Sequence, residues 1–273
     1  MKNVLVSIVM GVYNCEDMIQ NCVESVIQQS YSNWELIICD DASTDSTYDI
    51  VNKYAQLEKR ITLIRNKKNM RLASSLNNCL RIAKGKYIAR LDADDEYTKD
   101  KLEKQVNFME EHPEVDVTGT GRYLFDENGD YAIVCGEKEP SKEILLLDAP
   151  FVHPTIMMRR EVYENLGGYT VSKDTMRCED LDLWFRFYEQ GYRGMNIQEP
   201  LYRYHLSRSD YKKRSLSAAI GTTKVFISGY KRLDIPRYKY IFALKPIVTA
   251  LIPNKMMYKM HRNKFSKQFG EKK

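Results

Sequence analysis

Asp92-Ala93-Asp94-Asp95 sets three carboxylates within four residues, directly after an apolar run that ends at Leu91. Each of the three raises the cost of ionising its neighbours unless a cation compensates. A hard divalent ion is the simplest compensator, because Mg²⁺ binds through one or two carboxylates together with substrate phosphates. The spacing therefore points to a nucleotide diphosphate bound with Mg²⁺ or Mn²⁺, against the alternative of a solvated acidic turn.

Two further groups could do chemistry. Asp40-Asp41-Ala42-Ser43-Thr44-Asp45 follows the apolar run Glu35 to Cys39. Ligands of open α/β sheets bind beyond the carboxyl ends of the strands, where a carboxylate can accept the imide N–H of uracil or thymine. The same residue types also build turns and caps, with Ser43 or Asp45 placed to cap a following helix. Glu179-Asp180 opens a helical pattern that continues Leu181-Asp182-Leu183-Trp184-Phe185-Arg186. Acidic residues in a first helical turn are favoured by the macrodipole, so capping competes here with catalysis. His153, beside Pro154, reads either as a ligand contact or as a satisfied loop residue.

Positioning these groups falls to alternating strands and helices. Val4 to Gly11, Glu35 to Cys39, Ile61 to Ile64 and Lys86 to Leu91 are short runs rich in Val and Ile, as in strands buried on both faces. Met18, Ile19, Cys22, Val23, Val26 and Ile27 share one helical face, as do Leu72, Leu76, Leu80 and Ala83 before Gly85. The alternation predicts an α/β fold with a mainly parallel sheet flanked by helices. Beyond Leu91 the pattern predicts a helix over Lys101 to Glu110, a strand over Val115 to Thr120 and a hairpin turn at Asn128-Gly129. A helix over Asp180 to Gln190 should end at a left-handed Gly191.

Bulk properties narrow the class. The 273 residues suit one catalytic domain with an appendage. Six scattered cysteines in apolar runs read as reduced core residues. No apolar run approaches the roughly 20 residues that cross a bilayer, and no leader pattern opens the chain, so a cytosolic protein is expected. Residues 211–273 hold 16 Lys and Arg against 2 Asp and Glu, whereas residues 1–210 hold 26 against 35. A basic, amphipathic helical tail of this kind either meets an anionic membrane or packs on the core with its charges solvated. Nucleic acid is disfavoured because no binding motif appears. A dehydrogenase is disfavoured because no G-x-G-x-x-G follows the first strand.

Taken in order, these residues resemble the inverting family 2 glycosyltransferases of the GT-A fold, over roughly residues 4 to 210. The resemblance runs through Ser7 to Asn14, Ser25 to Tyr31, Trp34 to Asp45, Asn69, Asn77, Ala83 to Asp95, His153-Pro154-Thr155, Leu166 to Tyr169, Glu179 to Trp184 and Leu201 to His205. It implies a sugar moved from a nucleotide diphosphate, by default UDP with dTDP and GDP open, to an acceptor hydroxyl. Many enzymes of this family use lipid-linked saccharides as acceptors. By similarity Gly11 and Tyr13 line the base pocket, Asp41 binds the pyrimidine and Asp92 holds the ribose or sugar. Asp94 is the chief metal ligand with Asp95 close by, and His205 completes the metal or diphosphate site. Asp180 is the catalytic base, Glu179 lies nearer the sugars, and His153 meets the acceptor. One departure is Arg71, two places after Asn69, where the family often has Gly. The rival readings are a catalytically idle nucleotide-sugar binder and a sugar nucleotidyltransferase. The latter has a Gly-rich, Arg-containing first loop, but here that loop reads Gly11-Val12-Tyr13-Asn14-Cys15. The expected division is a catalytic domain over 1–210 and a tail over 211–273.

Overall fold

The computed structural model describes residues 3–206, 215–260 and 262. The four apolar runs form β1 (Val6–Val12), β2 (Trp34–Asp40), β3 (Ile61–Arg65) and β4 (Tyr87–Arg90). They are joined by α1 (Ile19–Ile27), α2 (Thr47–Leu57) and α3 (Leu72–Ile82). All neighbours among these strands are parallel, with Val9 of β1 opposite Ile37 of β2 and Arg90 of β4. Their carboxyl ends therefore share one edge, where Val12 faces Asp40 and the acidic turn follows β4.

The rest of the sheet is mixed. It is built from β5 (Glu96–Tyr97), β6 (Val117–Asp126), β7 (Gly129–Val134), β8 (Met157–Arg159) and β9 (Gly194–His205). Among the described residues nine strands run in the order β3-β2-β1-β4-β8-β6-β9-β5, with β7 also on β6. Pairs β4–β8, β6–β8, β6–β7 and β5–β9 are antiparallel, while β6–β9 is parallel. The mainly parallel expectation thus holds only for the first four strands. Parallel neighbours need long crossovers, whereas β6 and β7 are joined by a two-residue turn that forces reversal. That turn is centred on Glu127-Asn128, one residue earlier than expected, and Gly129 opens β7 with φ 99°.

Successive residues of β1 bury into opposite faces. Ile8 and Met10 pack with α1 and α2, against Val26 and Val51, in the cluster that holds Trp34, Tyr87 and Tyr202. Also in that layer is α4 (Lys101–Glu111), through Leu102 and Val106. Val9 packs on the other face, with α3 and with α5 (Arg160–Leu166) and α6 (Glu179–Glu189), around Trp184. Gly191 follows α6 with φ 77°, as expected. Gly85 acts otherwise than as a cap. The backbone is already extended at Ala83, and a Cβ at Gly85 would stand 2.5 Å from the Ser7 nitrogen.

Residues 215–260 are mainly helical. Ser215 caps α7 (Leu216–Arg232) by accepting from the Ala218 N–H, and α8 (Lys245–Ala250) and a helical stretch over 254–260 follow. Val225, Phe226 and Tyr230 of α7 belong to the Trp184 cluster, and Phe185 of α6 meets Phe226 and Tyr230 edge-on. The expected boundary at residue 210 lies outside the described residues. Among those described, no helix is long and apolar enough to cross a membrane.

Candidate active site

Asp92, Asp94 and Asp95 line one cavity of about 460 Å³. Arg177, Tyr204 and His205 share it, and Ser215, Thr222, Pro246 and Thr249 close it from α7 and α8. The three acids hold different positions. Asp92 accepts a 2.6 Å ion pair from Arg90, a guanidinium buried at the end of β4 that also donates to the Leu91 carbonyl. Asp95 is buried, with one oxygen taken by the Tyr202 hydroxyl at 2.7 Å and the other by the His205 N–H at 2.7 Å. Burial pushes its carboxyl well above the usual range, and the charges of Asp94 and Asp92 push it further. Asp95, expected close to the metal, lines the cavity and also ties the end of β9 to the acidic turn through its oxygens. Asp94 is left as the chief candidate to meet a cation.

No group of three or more His, Cys, Asp or Glu among the described residues is arranged to hold a metal alone. Asp94 and Asp92 with His205 nonetheless suit a hard ion that arrives with phosphate, since Mg²⁺ takes only one or two carboxylates beside phosphate oxygens.

Gly11, Tyr13 and Asp41 lie at the carboxyl ends of β1 and β2, on the same edge of the sheet as the acidic turn. The Asp41 N–H donates to the Val12 carbonyl at 2.8 Å and fastens the two ends together. A side chain at Gly11 would crowd α3, its Cβ 3.0 Å from Leu72 Cδ1, while Tyr13 is 47% exposed. Asp41 is not the open carboxylate expected for a pyrimidine. One oxygen accepts from Asn66 Nδ2 and the Met70 N–H, both at 2.7 Å, and the other from the Arg71 N–H at 2.8 Å. It clamps the turn before α3. Asp40 pairs with Arg65, and Asn14, Ser43 and Asp45 lace the first two loops together. Arg71, in the place where glycine was expected, has φ 72°. A non-glycine residue there stores about 1–3 kcal/mol of strain.

Glu179 and Asp180 occupy the first turn of α6, half-buried, with Asp180 accepting from the Leu181 N–H at 2.8 Å. Burial raises both carboxyls, and the charge of Asp180 raises Glu179 further. Glu179 lines a second cavity of about 520 Å³, and Arg177 lines both cavities. His153 is brought to neither. Its ring is buried against Trp184 and bonded to the Tyr169 hydroxyl at 2.7 Å, and burial, helped by Arg90, lowers its pKa well below the usual value. The acceptor contact expected of His153 gives way to a core position.

Residues 7–167 match the family described as glycosyl transferase family 2. The chain belongs to that family. This glycosyltransferase is 44% identical to the putative glycosyltransferase EpsE of Bacillus subtilis, over 96% of its own length and 95% of that protein. It is 34% identical to WfaP of Escherichia coli, a UDP-Glc:alpha-D-GlcNAc-diphosphoundecaprenol beta-1,3-glucosyltransferase, over 74% of its own length and 78% of WfaP. In fold it is similar to the mannosyltransferase PcManGT of Pyrobaculum calidifontis, solved with GDP-Man and Mn²⁺, with TM-score 0.65 at 17% identity. That likeness covers 96% of this chain and 83% of the other. The GT-A expectation is met.

Three site residues carried no role in the sequence. Arg90 is visible there as a lone cation ending an apolar strand, a signal that it has an internal acid partner. Tyr202 and Arg177 gave no such sign, because their neighbours in this glycosyltransferase are set by the register of β9 and by the loop before α6.

Proposed function

We propose that this glycosyltransferase moves a sugar, with inversion, from a UDP-sugar to a hydroxyl of a lipid-linked saccharide in surface polysaccharide synthesis. The observation that carries the reading is the meeting at Arg177 of two cavities, one lined by Asp92, Asp94 and His205 and the other by Glu179 beside Asp180. The first suits the donor diphosphate, and the Glu179 edge of the second suits the acceptor hydroxyl.

Asp180 is the general base. It takes the acceptor proton as that oxygen attacks the anomeric carbon through an oxocarbenium-like state. Burial raises its proton affinity toward working pH, which favours proton transfer. Arg90 fixes Asp92, and Asp95 fixes the His205 backbone, so the donor end is set before substrate arrives. Mn²⁺ or Mg²⁺ held by Asp94, with Asp92 and His205, would neutralise charge developing on the departing diphosphate. Gly11, Tyr13 and Asp41 form the base end. UDP is favoured by the donor named for WfaP, and its diphosphoundecaprenol acceptor supports the lipid link. A cytoplasmic enzyme on the inner leaflet is consistent with the cationic, apolar surface after α7.

Kinetics with titration calorimetry test this. Asp180→Asn lowers kcat by roughly 10²- to 10⁴-fold and leaves the donor dissociation constant in Mn²⁺ within about twofold. An equal loss of donor affinity would make Asp180 structural. Undiminished transfer in excess chelator would remove the ion from the mechanism.

A further inference from the structure

The second cavity is walled on one side by Met70, Arg71 and Leu72. Met70 and Arg71 hold Asp41 through their N–H groups, and Leu72 lies where a side chain on Gly11 would stand. That wall therefore belongs to the base end of the donor trough, while Asp92 and Asp94 mark the diphosphate end. A nucleotide reaching from Gly11, Tyr13 and Asp41 to Asp94 passes the junction of the two cavities, and there Arg177 lines both.

Among the described residues of the acidic cavity, Arg177 is the one Arg or Lys, sharing it with Asp92, Asp94 and Asp95. Arg90 is engaged by Asp92, whereas no described carboxylate pairs with Arg177. Its exposed side chain stands on left-handed backbone, φ 69°, which persists only where the surroundings hold it. They do so from both sides. The buried Thr175 donates its hydroxyl to the Thr170 carbonyl at 2.8 Å, and the Cys178 N–H donates to the Thr175 carbonyl at 2.9 Å. Asp174 pairs with Lys224 of α7 at 2.8 Å, and Gly221 of α7 leaves room for the Asp174 carbonyl.

We propose that Arg177 is a catalytic residue whose guanidinium contacts the donor diphosphate and takes up the charge released on it as the sugar departs. The inference rests on the reading that puts the donor in this trough, and adds the cation that the chain itself brings to the leaving group. In the step, the bond from the anomeric carbon to the diphosphate oxygen breaks and its electron pair stays on that oxygen. The acceptor oxygen forms the new bond, and its proton passes to Asp180. The diphosphate is thus more negative after transfer than before, and the planar fork of arginine matches phosphate oxygens in pairs. Arg177 therefore binds the separating diphosphate more tightly than the intact donor, the difference that lowers a barrier.

UDP and UDP-glucose are titrated calorimetrically, and uridine by ligand-observed NMR, into the wild type, Arg177→Gln and Arg177→Lys with Mn²⁺ throughout. Neither substitution changes the backbone strain at 177, since both residues carry a Cβ as arginine does. Arg177→Gln should bind UDP at least about tenfold more weakly, as for a lost charge-assisted contact. The loss should be smaller for UDP-glucose, and uridine should stay within about twofold of the wild type. Arg177→Lys should recover part of the UDP loss, because the charge returns without the fork. Equal losses for uridine and UDP would overturn the proposal, since Arg177 would then only support the trough. Unchanged UDP affinity in Arg177→Gln would overturn it as well. Failure of the donor reading registers separately, as a wild type that binds neither UDP nor UDP-glucose.

Discussion

As the proposed general base Asp180 has to be ionised to take a proton, yet it stands where burial opposes ionisation. Below its ordinary value of 3.8 the group is protonated in folded and unfolded chain alike, and no penalty arises. As pH rises from 3.8 through the raised folded value, the unfolded chain loses its proton first and stability falls. Asp180→Asn, whose amide oxygen can still accept from Leu181, removes that penalty. Its thermal midpoint should exceed the wild type at pH 7 and converge with it toward pH 3.8. A lower midpoint at pH 7 would show that the Leu181 hydrogen bond outweighs desolvation. At this scale the acids were legible in the sequence, because clustered carboxylates beyond strand ends demand a counter-charge. Their individual duties were not. Whether Asp95 faces a ligand or the His205 N–H, and whether Asp41 is open or clamped by Met70 and Arg71, depends on backbone directions set by distant segments.

β1 to β4 could be read because strands buried on both faces are apolar whatever they pair with. β9 could not, since its exposure changes partway along and Pro200 interrupts it, and β8 has only three residues. The close approach of α7 to α6 was equally hidden. A Cβ at Gly229 would lie 2.2 Å from Phe185 Cγ, and one at Gly221 would lie 2.7 Å from the Asp174 carbonyl oxygen. Gly229→Ala should therefore lose about 1–3 kcal/mol in urea unfolding through overpacking, although alanine gains about 1 kcal/mol by helix propensity. Donor affinity should weaken with it, because the first turns of α7 wall the acidic cavity. A net gain in stability would show that the helices can part freely.

The C-terminal charge excess is divided between two settings. Among the described residues, α7 carries Lys224, Lys231 and Arg232 on a helix whose inner face is core, and further cations follow on the elements after α7. There Tyr238, Ile241, Val248 and Leu251 are 77%, 67%, 60% and 72% exposed, among Arg237, Lys239, Lys255 and Lys259. This surface fits an anionic bilayer, each cation near it contributing about 1 kcal/mol. Arg237→Glu/Lys255→Glu/Lys259→Glu should abolish cosedimentation with phosphatidylglycerol vesicles, and added salt should weaken the wild type in parallel. Binding that survives both would assign the surface to another partner. Deleting residues 211–273 is the poorer test, because Phe226 and Tyr230 would be torn from the core. The family match ends at residue 167, yet the acidic chamber is roofed by Ser215, Thr222 and Thr249. A premature stop codon late in the gene would thus do more than shed an anchor: it would unroof the chamber and bare the hydrophobic flank of α6 in the same stroke.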